Sequence, residues 1–187
     1  MKPSELKETL ITLINSRLPA LVVGAPGIGK SDIVTHAATD AGNDVIISHP
    51  VVSDPTDYKG LPHATHDGTT AEFLPYGELN HLIHAEKPTV FFLDDLGQAP
   101  PSVQAACMQL LLARRINGHM VSNHVTFLAA TNRRQDRAAV TGILEPVKSR
   151  FATILNLEPD LNDWSKWAIN AQMPPELIAF VRYRPTW

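Results

Sequence analysis

The stretch that most constrains this chain is GAPGIGKS, residues 24–31. It satisfies the pattern G-x-x-x-x-G-K-[ST], with Gly24, Gly29, Lys30 and Ser31 at the fixed positions. A chance match in a chain of this length is on the order of one in a hundred. The flanks narrow it further. The apolar run ALVVG (20–24) reads as a buried strand, and KSDIVTHAATDAG (30–42) reads as a helix closed by Gly42. A glycine-rich loop between strand and helix lets backbone N–H groups curl around phosphates, and the helix start adds a partial positive charge. Lys30 is then expected at the outer phosphates and Ser31 on a Mg²⁺ ion. The expected nucleotide-binding set is Gly24, Ala25, Pro26, Gly27, Ile28, Gly29, Lys30, Ser31 and Asp32. A ligand-free turn into a helix is the plain alternative, and the motif in its strand–loop–helix setting outweighs it.

The remaining sequence supplies more strands and helices in alternation. Residues 4–17 read as an amphipathic helix with Leu6, Leu10, Leu13 and Ile14 on one face. Residues 44–50 are a second strand. Residues 51–75 are rich in Pro, Gly, Asp, His and Thr and read as loop or a short inserted hairpin around Asp67–Gly68. A helix is expected at about 76–86 and a third strand at 89–95. Pro100 and Pro101 suit the first turn of a helix running to about Arg115, with Val103, Ala106, Cys107, Leu110 and Leu111 inward. Asn117–Gly118 marks a turn. Strands are expected at 124–131 and 152–157, and 160–183 reads as helical. Apolar strands alternating with helices predict an α/β fold: a five-stranded, mostly parallel sheet sandwiched by helices.

VFFLDD (90–95) runs an apolar strand into two carboxylates. Taken alone, two solvated acids leaving a core are the plainer reading. Beside a phosphate-cradling loop, Asp94 suits the acid that helps hold Mg²⁺ near the loop hydroxyl. Asp95 suits the carboxylate that orients the attacking water, with a surface or supporting acid as the alternative. FLAATN (127–132) ends a further apolar strand on Asn132, within reach of a γ-phosphate or the water. An Asn after a strand is by itself more often a turn former. EPVKSRF (145–151) presents Arg150, which taken alone reads as a surface residue.

As a set, GAPGIGKS, VFFLDD, AATN and SRF fall in the order of Walker A, Walker B, sensor 1 and arginine finger of the AAA+ ATPases. The surrounding sequence resembles the MoxR branch, with its midasin-like ATPase module. DPTDYKGLP (54–62) resembles that branch's insert, APPSVQAACMQLLLARR its helix after Walker B, and ATNRRQDRA followed by EPVKSRF its run from sensor 1 to the finger. The likeness covers about residues 20–160. It implies an AAA+ P-loop core over residues 1–158 and the start of a helical lid over 159–187. It implies ATP and Mg²⁺ as cofactors, with Ser31 and Asp94 on the metal and Asp95, Asn132 and Arg150 as the catalytic set. It implies a homo-oligomeric ring, expected to be a hexamer, that couples ATP turnover to remodelling or activation of partner proteins. Proteins carrying von Willebrand factor A domains are the expected partners.

Two departures from the family pattern matter. The second Walker B acid is usually glutamate. Asp95 is one methylene shorter, which predicts slow hydrolysis and leaves a nucleotide-gated binding or assembly protein as the second reading. The lid's second sensor arginine has no counterpart at Arg182 or Arg184, so either the sequence is a piece of a longer chain or a neighbour or partner supplies it.

Composition bears on partners and compartment. Net charge is −3, and the tight basic groups are Arg114–Arg115 and Arg133–Arg134. That balance disfavours a nucleic-acid role of the helicase-loader kind. The chain holds one cysteine, Cys107, which excludes an intrachain disulfide and fits a reducing compartment. MKPSELKETL lacks the apolar segment of a signal peptide, and no apolar run is long enough to span a bilayer. A cytoplasmic protein without membrane contact is expected. The pairs His63/His66 and His81/His84 read as solvated rather than zinc-binding, since no cysteine or acid completes a ligand set.

Overall fold

The computed structural model describes residues 1–133, 136 and 142–184. Its first third runs α1 (Pro3–Asn15), β1 (Ala20–Gly24), α2 (Lys30–Asp40), β2 (Asp44–Ser48) and a short α3 (Pro55–Lys59). A hairpin of β3 (Leu61–Ala64) and β4 (Ala71–Leu74) follows, then α4 (Gly77–Ile83) and β5 (Thr89–Leu93). A 3₁₀ turn (Leu96–Gln98) leads into α5 (Pro101–Ala113), the small strands β6 (Arg115–Ile116) and β7 (His119–Met120), and β8 (Val125–Asn132). The chain continues through α6 (Glu145–Lys148), β9 (Thr153–Asn156), α7 (Leu161–Asn170) and α8 (Pro175–Tyr183).

Five strands form the main sheet in the order β2-β5-β8-β1-β9, and every neighbouring pair is parallel. The α/β sandwich read from the sequence is therefore present. Its central strands β5 and β8 are buried along their whole length, as strands covered on both faces must be. Alternation along each strand divides side chains between two layers. Val90 and Phe92 face Leu6, Leu10 and Ile14 of α1 and Val34 of α2. Phe91 and Leu93 face Leu82 of α4 and Val103, Cys107 and Leu110 of α5. Phe91 and Phe127 meet edge to face, 6.1 Å between centroids.

Several boundaries differ from the sequence reading, each for a local reason. The third strand stops at Leu93, so both aspartates lie in the turn beyond it, with Asp95 in left-handed conformation (φ 54°). Within 51–75, α3 is an added helix. Asp54 and Asp57 form a reciprocal capping box around Pro55, enough to nucleate one turn. The hairpin around Asp67–Gly68 is present as β3–β4. The Asp67 carboxylate accepts from Thr65 and Thr69 in its turn, which holds its pKa down to about 2. The Asn117–Gly118 turn joins β6 and β7 into a second hairpin. The helical tail is two helices broken at 171–174, where Pro174 cannot continue α7. Arg114 of the basic pairs is structural: its guanidinium donates to Ser122 O and Val125 O and lies 5.5 Å over the Phe127 ring. Among the described residues no helix is long and apolar enough to cross a membrane.

Leu10 is fully buried between α1 and the sheet. Leu10→Ala is expected to lower stability by about 2–5 kcal/mol, read as a shift of the urea midpoint at unchanged m-value.

Candidate active site

Parallel pairing brings the chemistry to one edge of the sheet. Gly24 of β1 lies beside Asn132 of β8, and Leu93 of β5 pairs with Ala129 of the same strand. The loop after β1 and the turn after β5 thus leave the sheet on either side of Asn132. Gly27 (φ 76°) and Gly29 (φ 85°) adopt left-handed backbone that a side chain would strain, and this aims the loop back over the start of α2. Gly24 is needed for another reason: a Cβ there would lie 2.6 Å from Ile28 Cδ1 and 3.2 Å from Leu157 O.

The side chains meet in one hydrogen-bonded network. Lys30 Nζ donates to Asn132 Oδ1 (2.7 Å), Ala25 O (2.8 Å) and Gly24 O (3.3 Å). Ser31 Oγ donates to Asp94 Oδ2 at 2.7 Å. Asn132 Nδ2 reaches Asp95 Oδ1 at 3.4 Å, the outer limit of such a bond. Asp94 is fixed on both sides. Its N–H donates to Ser48 O of β2, and its Oδ1 accepts from Asp95 N. The network walls a cleft of about 300 Å³ lined by Pro26, Gly27, Gly29, Lys30, Ser31, Asp32, Asp94, Asp95 and Asn132. A larger cleft of about 510 Å³ lies between α7 and α8, but among the described residues its lining is apolar apart from Arg182 and holds no acid or nucleophile.

Electrostatics explains why this cleft favours a charged guest. Burial pushes the Lys30 ammonium below its ordinary pKa, opposed by the charges of Asp95 and Asp94. Burial, and then the neighbouring Asp94 charge, push Asp95 above the usual carboxylate range. Both charged forms are under-solvated. A polyanion beside Lys30 and a cation beside Asp94 and Asp95 would relieve both. The donor set suits Mg²⁺, since Ser31 Oγ and Asp94 Oδ2 are adjacent hard oxygens that leave most coordination positions to water and phosphate.

The structure therefore gathers Lys30, Ser31, Asp94, Asp95 and Asn132. Pro26, Gly27, Gly29 and Asp32 line the same cleft. Gly24, Ala25 and Ile28 of the expected binding set do not line it. Gly24 and Ala25 present carbonyls to Lys30, and Ile28 turns its side chain toward the core. Arg150 is not among the lining residues either. Its Nη1 donates to Ser149 Oγ at 3.2 Å, and its Nε is buried with no hydrogen-bond partner among the described residues. Arg133 is held by Asp136 through two bonds, while Arg134, Gln135 and residues 137–141 lie outside the described residues. Arg182 donates to Ser165 Oγ of α7. The sequence reading passes over Ser48, whose carbonyl anchors Asp94, and over Gln104, a buried amide beneath the turn after Asp95. The one available signal for Gln104 was a polar residue on the apolar stripe of α5.

The family model of the AAA domain, dynein-related subfamily, matches residues 19–151. The chain belongs to this family. With it the chain joins the P-loop ATPases, and the sheet order and cleft are those of an AAA+ core. No curated protein sequence matches it. Among solved structures it is similar in fold to the Thermotoga maritima RuvB Holliday junction branch migration motor. That alignment has 17% identity and a TM-score of 0.58 and covers 87% of this chain and 48% of the other. A point variant of the same RuvB aligns with a TM-score of 0.60 at 18% identity, over 87% of this chain and 47% of the other. A Cytophaga hutchinsonii protein classed as an ATPase aligns with a TM-score of 0.54 at 19% identity, over 83% of this chain and 46% of the other. This AAA domain thus spans about half the length of those structures.

Lys30→Ala removes the only ammonium among the described residues that line the cleft. Mg-ATP affinity is expected to fall about ten- to a hundredfold, since a charge-assisted contact contributes roughly 1.5–3 kcal/mol. Calorimetry on both forms measures this, and equal affinities would contradict the assignment.

Proposed function

We propose that this AAA domain is the hydrolytic core of a MoxR-type ring ATPase that uses ATP turnover to remodel or activate partner proteins. Residues 1–158 form the core in this reading, and 159–187 begin the lid. The observation that carries it is the linkage of Lys30, Asn132 and Asp95 around one cleft, beside the Ser31–Asp94 pair. Ser31 and Asp94 hold Mg²⁺, which when bound neutralises charge on the outer phosphates. Lys30 binds those phosphates as a point charge. Asn132 leaves Lys30 to orient the attacking water, and Asp95 accepts that water's hydrogen bond and then its proton. The water oxygen bonds to the γ-phosphorus as the bond to the bridging oxygen breaks, giving ADP and phosphate. Arg150, outside its own subunit's cleft, enters the neighbour's site to offset charge developing on the γ-phosphoryl group.

Ring assembly, the expected hexamer and a partner with a von Willebrand factor A domain are supported by the resemblance of residues 54–62, 99–115 and 145–151 to the MoxR branch. A second reading has its own support. Asp95 reaches Asn132 only at 3.4 Å, as a side chain one methylene short would, which favours a nucleotide-gated assembly protein with little turnover. RuvB is a branch migration motor, but a net charge of −3 and the internal pairing of Arg114 and Arg133 weigh against a nucleic-acid role here.

Asp95→Asn is expected to abolish hydrolysis with ATP still bound, and Asp95→Glu to raise the rate. Arg150→Ala should lower kcat by about 10³–10⁵, the range for arginine fingers in GTPases. Mixed under subunit exchange, Asp95→Asn and Arg150→Ala proteins should regain activity, because some interfaces then pair an intact cleft with an intact arginine. Mixed oligomers no more active than the two proteins apart would rule out action in trans. Parental turnover by Asp95→Asn would favour the second reading.

A further inference from the structure

Gln104 is fully buried on the inward face of α5, among Val103, Ala106, Cys107 and Leu110. A buried amide is costly unless its donors and acceptor are matched, and here all are. Nε2 donates to Ala99 O (3.0 Å) and Gly142 O (3.1 Å), and Oε1 accepts from Leu144 N (2.9 Å). The two sides of this clamp belong to different parts of the site. Ala99 closes the 3₁₀ turn that begins at Asp95. Gly142 and Leu144 belong to the stretch entering α6, where Leu144 is the N-cap. From Leu144 a run of backbone bonds leads to Arg150: Val147 N to Leu144 O, Ser149 N to Glu145 O and Arg150 N to Val147 O. A second contact lies on the same seam. A Cβ on Gly97 would overlap the Thr131 hydroxyl and come within 3.2 Å of Ile143 N. The turn after Asp95 is thus pressed between the residue preceding Asn132 and the segment that leads to Arg150.

We propose that Gln104 is a positioning residue that sets Arg150 relative to Asp95. Its amide fastens the start of α6 to the turn behind Asp95, so a shift of Asp95 and Asn132 on nucleotide binding is passed to the arginine that serves the next subunit. Glutamine suits the place because two carbonyls and one N–H face it. A carboxylate supplies no donor in its ionised form, and an apolar side chain satisfies none of the three. The proposal rests on the reading of Arg150 as a residue acting in trans.

The test uses the full natural protein with Gln104→Met and Gln104→Glu, measuring Mg-ATP affinity, KM, kcat and hydrogen exchange. Gln104→Met is expected to lower kcat about ten- to a hundredfold, as misplacement of a reacting group does. Affinity and KM should stay within about twofold, because no cleft residue is altered. Amides of residues 144–150 should exchange faster, while those of α2 and β5 stay protected. Gln104→Glu, in the protonated form that two facing carbonyls favour, keeps one donor and the acceptor for Leu144 N and should fall between parent and Gln104→Met. If Gln104→Met lacks a cooperative unfolding transition, Gln104→Glu decides by the same readouts. Unchanged kcat and exchange would overturn the proposal, as would affinity and kcat falling together, which marks a general packing defect. Arg150→Ala, run in parallel, separates the two ideas. Parental kcat in that variant means the trans reading has failed. Exchange at 144–150 in Gln104→Met then decides the clamp alone: faster exchange supports it and unchanged exchange overturns it.

Discussion

The site depends on one register: β8 lies between β1 and β5, with Gly24 opposite Asn132 and Ala129 opposite Leu93. The loop strand and the aspartate strand are therefore not neighbours. The gap between them is bridged by a single amide, which accepts from Lys30 on one side and reaches Asp95 on the other. A slip of one residue in β8 would turn Asn132 to the opposite face and disconnect the two halves. The full burial of β8 makes such a slip costly, since its apolar side chains would exchange layers. Packing of the sheet and geometry of the cleft are thus the same constraint seen at two levels.

The charges are arranged for a guest rather than for stability. A buried ammonium and a carboxylate raised above its ordinary range are both held against the cost of desolvation, and in this state they are satisfied by each other's neighbours. Lys30 takes loop carbonyls and Asn132, and Ser31 takes Asp94. A phosphate oxygen or a cation would compete for these same polar groups. Preorganised groups of this kind favour the charge that develops in phosphoryl transfer.

Much of this was legible in the sequence because the signals are local. GAPGIGKS needs two left-handed glycines and a helix start, and those requirements act over eight residues. The strand pattern around Asp94 and Asn132 foretold one sheet edge, though only pairing could show that Asn132 closes β8 instead of following it. What the sequence left hidden is tertiary. The partners of Gln104 are 5, 38 and 40 residues away, so no spacing reveals them. The helix at Pro55–Lys59 was available in the D-P-x-D pattern and was masked by the turn-rich composition around it. Gly24 and Ala25 also lend carbonyls to Lys30 and Ile28 packs against the core, contacts that the motif by itself does not give.

The most direct measurement is a structure of the protein with Mg²⁺ and a slowly hydrolysed ATP analogue. The account predicts that the Ser31–Asp94 hydrogen bond opens around the metal. It also predicts that Lys30 Nζ exchanges Asn132 Oδ1 for phosphate oxygen, and that the Asn132 amide is left facing Asp95 over the γ-phosphate. An analogue bound elsewhere, or one bound with the Lys30–Asn132 and Ser31–Asp94 contacts intact, would contradict it.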